Sequence, residues 1–222
     1  MQTFSVIGLG RFGARIATNL ASAGAEVIAI DRDPAIIEDI KDRVTVAVAL
    51  DATDEQALLM HGVHRVDTAV VGIGANFEAT CLATVLLKHH GVAKVIARVT
   101  TRLAGQVLAR IGADEVVNPE DEAADRWGQR LINPHFLNQI QFHEGHSIVE
   151  MPAPDRWAGK SLAELELRAK TGLHVVAIKR WKDPRDPASV RVEMPGPSEP
   201  LLKGDVLVLM GKDADMEKLP RA

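Results

Sequence analysis

The 222-residue chain has one cysteine, Cys81, no tyrosine, three tryptophans and five phenylalanines. A single thiol excludes a disulfide framework within the chain and points to a reducing, cytoplasmic setting. Without tyrosine there is no phenolic proton donor of the kind that short-chain reductases use. Charge of one sign is also scarce: 26 basic and 30 acidic side chains leave a formal -4. Broad attraction to nucleic acid or anionic lipid therefore has no support, and no nucleic-acid partner is expected. Long apolar runs are missing. The longest stretch free of Asp, Glu, Lys and Arg is 13 residues, Leu131 to His143, and it contains Asn, Gln, His and Pro, so it cannot span a bilayer. The N-terminus carries neither the basic region nor the small-residue cleavage site of a secretory leader.

What is present is a globular composition, 46% hydrophobic and 25% charged, over a length that suits one large or two ordinary domains. The first 117 residues alternate β-branched runs with helical stretches. Strands are predicted at Thr3 to Ile7, Glu26 to Ile30, Val44 to Ala49, Thr68 to Val71, Lys94 to Val99 and Glu115 to Val117. Between them lie helices at Phe12 to Ala23, Ala35 to Lys41, Glu55 to His61, Asn76 to His90 and Leu103 to Ile111, four of them followed by a glycine suited to a C-cap (Gly24, Gly62, Gly91, Gly112). This pattern favours a parallel sheet covered on both faces. A further helix, Glu120 to Ile132, opens on three acids and ends at Asn133-Pro134. From Ser147 the order becomes strand (Ser147 to Met151), helix (Ser161 to Lys170), strand (His174 to Lys179), strand (Val190 to Val192) and strand (Val206 to Met210), with Pro-rich loops between them. The predicted organisation is a nucleotide-binding-type domain with its crossover helix over 1–132, a linker over 133–146 and a small α+β domain over 147–222.

Gly8-Leu9-Gly10-Arg11-Phe12-Gly13 gives G-x-G-x-x-G directly after the first strand and at the mouth of the first helix. Asp31 ends the second strand 18 residues beyond Gly13. In such a turn Gly8 permits the tight bend, Gly10 lets backbone approach a pyrophosphate and Gly13 lets helix and strand pack closely. The helix N-terminus offers unpaired N–H donors and positive potential. Asp31 is placed to accept from ribose hydroxyls, and its charge disfavours a 2′-phosphate although Arg32 beside it offsets part of this; NAD or ADP/ATP thus fit better than NADP. Arg11 either sets a planar donor fork where phosphate oxygens gather, suiting a ligand with more phosphate charge than a dinucleotide, or extends into solvent. Asp51-Ala52-Thr53 ends the third strand on the same sheet edge, where adenine would lie. Gly72-Ile73-Gly74-Ala75-Asn76 ends the fourth, and its glycines allow close approach by a ligand or another subunit.

Several other signals carry less. Gly159-Lys160-Ser161 resembles the end of a phosphate-binding loop, but the earlier glycine that loop requires is Pro154. His143-Glu144-Gly145-His146 is one residue short of a helical zinc motif. His89-His90 follows a long helix and is expected to meet its exposed carbonyls. Cys81 reads as a packed core thiol, and Trp127, Trp157 and Trp181 are too scattered for a base-stacking platform.

Taken in order, V-I-G-L-G-R-F-G at Val6 to Gly13, the acid Asp31, D-A-T at Asp51 to Thr53, I-G-A-N at Ile73 to Asn76, I-G-A-D at Ile111 to Asp114 and Asn118-Pro119-Glu120 resemble the RCK-domain proteins that regulate bacterial potassium transport, of the KtrA/TrkA type. L-R-A-K-x-G at Leu167 to Gly172 and A-I-K-R at Ala177 to Arg180 continue the likeness. The resemblance implies an α/β fold: a Rossmann-like doubly wound parallel sheet followed by a small α+β C-terminal domain. It implies homodimers assembled into an octameric ring beneath a membrane-embedded potassium transporter subunit. It further implies ADP and ATP as competing ligands and NAD(H) binding, with Arg11 near the terminal phosphate. Glu120 would hold a divalent cation, magnesium or calcium; its bland alternative is helix-dipole compensation. In some relatives the C-terminal domain binds cyclic di-AMP, and the matching positions are Leu162, Ala163, Arg168, His174 and Val175, with Ala163 smaller than such a cleft would favour. The function expected is thus a non-enzymatic regulatory subunit. The competing reading is an NAD-dependent oxidoreductase whose small C-terminal domain holds substrate.

Overall fold

A computed structural model describes residues 2–183, 185–216 and 218–219. The ends of the two expected domains, residue 1 and residues 220–222, lie outside the described residues. In chain order the elements of the first half are β1 (Thr3–Ile7), α1 (Arg11–Ser22), β2 (Glu26–Asp31), α2 (Pro34–Ile40), β3 (Val46–Ala49), α3 (Glu55–Met60), β4 (Thr68–Val71), α4 (Phe77–His89), β5 (Lys94–Arg98), α5 (Arg102–Arg110), β6 (Glu115–Val117) and α6 (Pro119–Ile132). The second half holds β7 (Asn138–His143), β8 (His146–Pro152), α7 (Leu162–Leu165), α8 (Leu167–Thr171), β9 (His174–Trp181), β10 (Val190–Glu193), β11 (Val206–Lys212) and α9 (Asp213–Met216). The chain divides into two compact units, Met1–Glu122 and Ala123–Ala222.

In the first unit six parallel strands run in the order β3-β2-β1-β4-β5-β6, with β1 paired to β2 on one side and β4 on the other. Successive residues of each strand feed opposite faces, as pleating requires. Val6, Val27, Ala29 and Val70 pack with Phe12, Ala17, Ile36 and Ile40 of α1 and α2. Ile7, Ile30, Ala69, Val71, Val95 and Ala97 pack with Leu58, Ala83, Leu87 and Leu108 of α3, α4 and α5. Ser5, at the centre of β1, is fully buried and its hydroxyl has no hydrogen-bond partner. Ser5→Ala is therefore expected to stabilise the protein by about 1 kcal/mol, since an unpaired buried hydroxyl loses its hydration for nothing in return. A thermal melt checks the sign; a lower melting temperature would show that this hydroxyl is satisfied after all.

The second unit is an antiparallel sheet in the order β10-β9-β11-β8-β7. Its core gathers Phe136, Val149, Met151, Trp157, Leu165, Leu167, Leu173, Ile178, Leu201, Leu207 and Leu209. Two expectations are corrected here. Residues 133–146 are not a spacer: β7 pairs with β8 across a turn in which Gly145 takes φ 72°, and Phe136 is buried. The helix expected from Ser161 to Lys170 is two short helices, because Glu166 turns left-handed at φ 51°. A continuous helix would set Leu165 and Leu167 about 200° apart, and the break lets both enter one core. Ser161 and Glu164 do form the capping box that their spacing suggests.

Candidate functional site

The strand order reverses between β1 and β4, and that switch point opens a crevice at the carboxyl ends of the strands. A cavity of about 380 Å³ lies there. Of the residues singled out from sequence, Gly8, Gly10, Asp31, Arg32, Asp51, Ala52, Thr53, Gly74, Ala75 and Asn76 all line it, joined by Leu50, Ile73, Glu78, Leu82 and Arg98. Such a volume, part apolar and part polar, is the size of a nucleotide-type ligand site.

The glycine turn is built as its pattern requires. A Cβ on Gly13 would stand 1.9 Å from the Gly8 carbonyl oxygen, so α1 can approach β1 only because that carbon is absent. Gly8 takes φ 85°, and a Cβ there would press on the Ile73 backbone nitrogen at 2.8 Å. Gly10 differs, for a Cβ on it would meet nothing within 4 Å: its emptiness faces the crevice. It is also the N-cap of α1 and makes no side-chain cap, which leaves the helix's opening N–H groups to a ligand.

Asp31 is engaged in holding this turn. One carboxylate oxygen accepts from the Leu9 N–H at 2.7 Å and the other from the Asp33 N–H at 3.0 Å. Each oxygen retains acceptor capacity for a hydroxyl on the cavity side. Asp51 accepts from both the backbone N–H and the hydroxyl of Thr53, at 2.9 and 2.8 Å, and these bonds hold its carboxyl below the ordinary range. Asn76 caps α4 by accepting from the Ala79 N–H at 3.0 Å.

The glycines after β4 serve a neighbour other than the one expected. A Cβ on Gly72 would lie 2.9 Å from the Gly8 carbonyl oxygen, and one on Gly74 would lie 2.1 Å from the Arg98 guanidinium. The close approach they permit is therefore by this chain's own glycine turn and its own arginine. Arg98 ends β5, is only 18% exposed, bonds Glu120 through Nη2 at 2.5 Å and keeps a buried Nε without a partner. Sequence reasoning passed it over. The signal available was a lone cation closing an apolar strand, V-I-A-R-V, at the sheet's carboxyl edge.

Arg11 and Phe12 sit at the start of α1 outside the cavity wall, Arg11 exposed. Glu120, exposed at the start of α6, also lies outside the wall. Its own backbone N–H and then the Arg98 guanidinium hold its carboxyl below the ordinary range, with Arg11's charge adding to the effect. It thus presents an ionised oxygen pair already shared with a guanidinium. An apolar floor is thus ringed by backbone, carboxylates and guanidiniums.

In the second unit Leu162, Arg168, His174 and Val175 line one cavity of about 210 Å³, together with Pro195 and Pro197. Ala163 lies outside it, in a neighbouring depression with Glu166 and Ala169. The proline loop closing this cavity was not anticipated. No helix among the described residues is long and apolar enough to cross a membrane.

Comparison with known proteins bears on both units. Residues 4–119 match the TrkA-N domain family and residues 146–221 the TrkA-C domain family. The Ktr system potassium uptake protein C of Bacillus subtilis (strain 168) is 35% identical over 220 residues, covering 99% of this chain and 96% of that protein. Among solved structures, the GsuK channel bound to NAD is 27% identical at a TM-score of 0.54, covering 98% of this chain and 38% of that one. GsuK bound to ADP is 26% identical at a TM-score of 0.51, covering 60% and 34%. This chain spans well under half of the GsuK chain.

Proposed function

The chain belongs to the TrkA-N/TrkA-C family of potassium uptake proteins, and on that premise we propose that it is the cytoplasmic regulatory subunit of a potassium transporter, gated by an adenine nucleotide. The observation that carries this reading is the crevice between β1 and β4, walled by Gly8, Gly10 and Asp31 and empty where pyrophosphate would lie. Adenine rests among Leu50, Ala52, Ile73 and Leu82, the ribose meets Asp31, and the phosphates reach the opening turn of α1. Binding in GsuK of NAD and of ADP supports the ligand class. The wall offers carboxylates and two guanidiniums but, among the described residues, no imidazole, thiol or lysine. That inventory favours a binding and sensing role over hydride transfer with acid–base assistance.

A regulator of this kind acts through shape: ADP and ATP shift an equilibrium only by the difference in their affinity for two conformations. We infer that Arg98, on the cavity wall, and Arg11, exposed beside the opening turn of α1, register an added phosphate, with Glu120 the carboxylate for a divalent cation. Self-association is supported by apolar side chains left in solvent on each unit: Phe77, Val85, Leu103 and Val107 on α4 and α5, and Trp127, Leu131, Ile132, Ile140 and Phe142 on α6 and β7. We infer a homodimer building toward an octameric ring against a membrane partner. The cavity shared by Leu162, Arg168, His174 and Val175 supports a second ligand, cyclic di-AMP, in the C-terminal unit.

Native mass spectrometry of the purified protein with ADP, ATP, NADH and cyclic di-AMP tests ligand and subunit count together. A chain that retains none of the four would overturn the reading. A finer test is Arg98→Met, expected to weaken ADP and ATP by about 10-fold through loss of a charge-assisted hydrogen bond. Arg11→Ala should weaken ATP more than ADP in the same calorimetry. Unchanged affinities in both variants would remove the guanidiniums from the sensing scheme.

A further inference from the structure

Four side chains that the nucleotide reading leaves unused gather in the first unit. Glu55 opens α3, His89 and His90 close α4, and His64 lies in the short turn before β4. The ligating atoms of Glu55, His89 and His90 all lie within 4.8 Å of one another. His90 Nε2 stands 2.7 Å from a Glu55 carboxylate oxygen. The rings of His89 and His90 meet edge to face at 5.0 Å between centroids, and that of His64 lies 6.2 Å from His90.

A histidine–glutamate hydrogen bond alone would be an ordinary way to end a helix, and the sequence suggested that these histidines cap carbonyls. Among the described residues neither ring bonds a helix carbonyl: His90 meets Glu55 instead, while Lys88 reaches past the helix end to the Val92 and Ala93 carbonyl oxygens, at 3.2 and 3.1 Å. The second imidazole, His89, is left facing the His90–Glu55 pair, and His64 Nδ1 is buried without a partner. The last turn of α4 adds the negative end of a helix dipole, which favours a cation beside it.

We propose that Glu55, His89 and His90 form a binding site for a divalent first-row transition-metal ion. Two imidazoles and one carboxylate are donors that suit zinc, nickel or copper rather than magnesium or calcium. This separates the site chemically from the oxygen-donor cation proposed at Glu120. Bonds of about 2.0–2.2 Å to zinc place ligand atoms about 3.4 Å apart, a contraction that small rotations of exposed side chains supply. Glu55 is half exposed and His89 exposed, so both have that freedom. Thr53, two residues before Glu55, lines the nucleotide cavity, so an ion held by Glu55 sits close in the chain to that wall.

The test is titration of the full chain, first stripped with a chelator, with zinc chloride by calorimetry and with cobalt(II) by visible absorption. The expected result is one zinc per chain and a cobalt spectrum of low coordination number. Glu55→Gln and His89→Ala should each weaken zinc by about 100-fold, whereas His143→Ala, at an exposed histidine of the second unit, should leave it unchanged. Zinc affinity equal in wild type and Glu55→Gln, or lost in His143→Ala, would overturn the assignment. Glu55→Gln is isosteric at an exposed position, so it decides the matter even if His89→Ala lowers the metal-free melting temperature.

Discussion

Gly10→Val is expected to abolish ADP and ATP binding, a loss of about 100-fold or more, while leaving the melting temperature nearly unchanged. Both halves of that outcome come from local geometry. Gly10 has φ -58° and ψ -177°, which an L-residue adopts without strain, and a Cβ there meets nothing beyond its chain neighbours within 4 Å. The backbone at this position therefore accepts a side chain. The space the branched side chain fills is the space at the opening turn of α1 where an anionic tail would be received, so the cost falls on the ligand alone. Calorimetry with ADP alongside a thermal melt separates the two effects. Retained affinity would move the phosphates away from this turn; a collapsed melt would show that Gly10 is a packing residue like Gly13, whose Cβ would strike a carbonyl oxygen.

Arg180→Met should destabilise the second unit by about 3–5 kcal/mol, a large part of what a domain of this size has to lose. Arg180, on β9, donates from Nε and Nη2 to Asp205 at 3.1 and 3.2 Å, from Nη1 to Glu193 at 2.9 Å and Glu199 at 2.8 Å, and from Nη2 to the Pro200 carbonyl at 2.9 Å. Its hydrogen bonds to Asp205 first, and then to Glu199, raise its pKa further above its ordinary value. Asp205 is only 3% exposed, so removing the guanidinium leaves a buried carboxylate with the Leu202 N–H, at 2.8 Å, as its remaining donor. Urea unfolding measures the loss. The double variant Arg180→Met, Asp205→Asn is expected to recover part of it, because the penalty comes from the orphaned charge rather than from missing contact area. A single-variant loss below about 1 kcal/mol would mean that solvent replaces the guanidinium, contrary to the burial of Asp205.

Local sequence determined a good deal. The six strands and the helices between them are legible because pleat and helix periods are short-range properties, and each apolar run needs only its own neighbours to declare its face. The glycine turn was legible for the same reason: Gly8, Gly10 and Gly13 act within one bend, and Asp31 is brought to it by a single strand pairing. Where local signals were mixed, the reading failed. β7, N-Q-I-Q-F-H, leaves Ile140 and Phe142 exposed and so lacks the buried face by which a strand is recognised. Glu166 turns left-handed because two leucines on either side of it both seek one core, a demand that no helix propensity records.

Tertiary structure alone decided the rest. That Gly74 clears a place for Arg98, that Arg98 pairs with Glu120 across 22 residues, and that Glu55 meets His90 across 35 all depend on the strand order β3-β2-β1-β4-β5-β6. Which strands become neighbours is settled by the cooperative burial of both sheet faces, a property of the whole unit that is absent from any one segment.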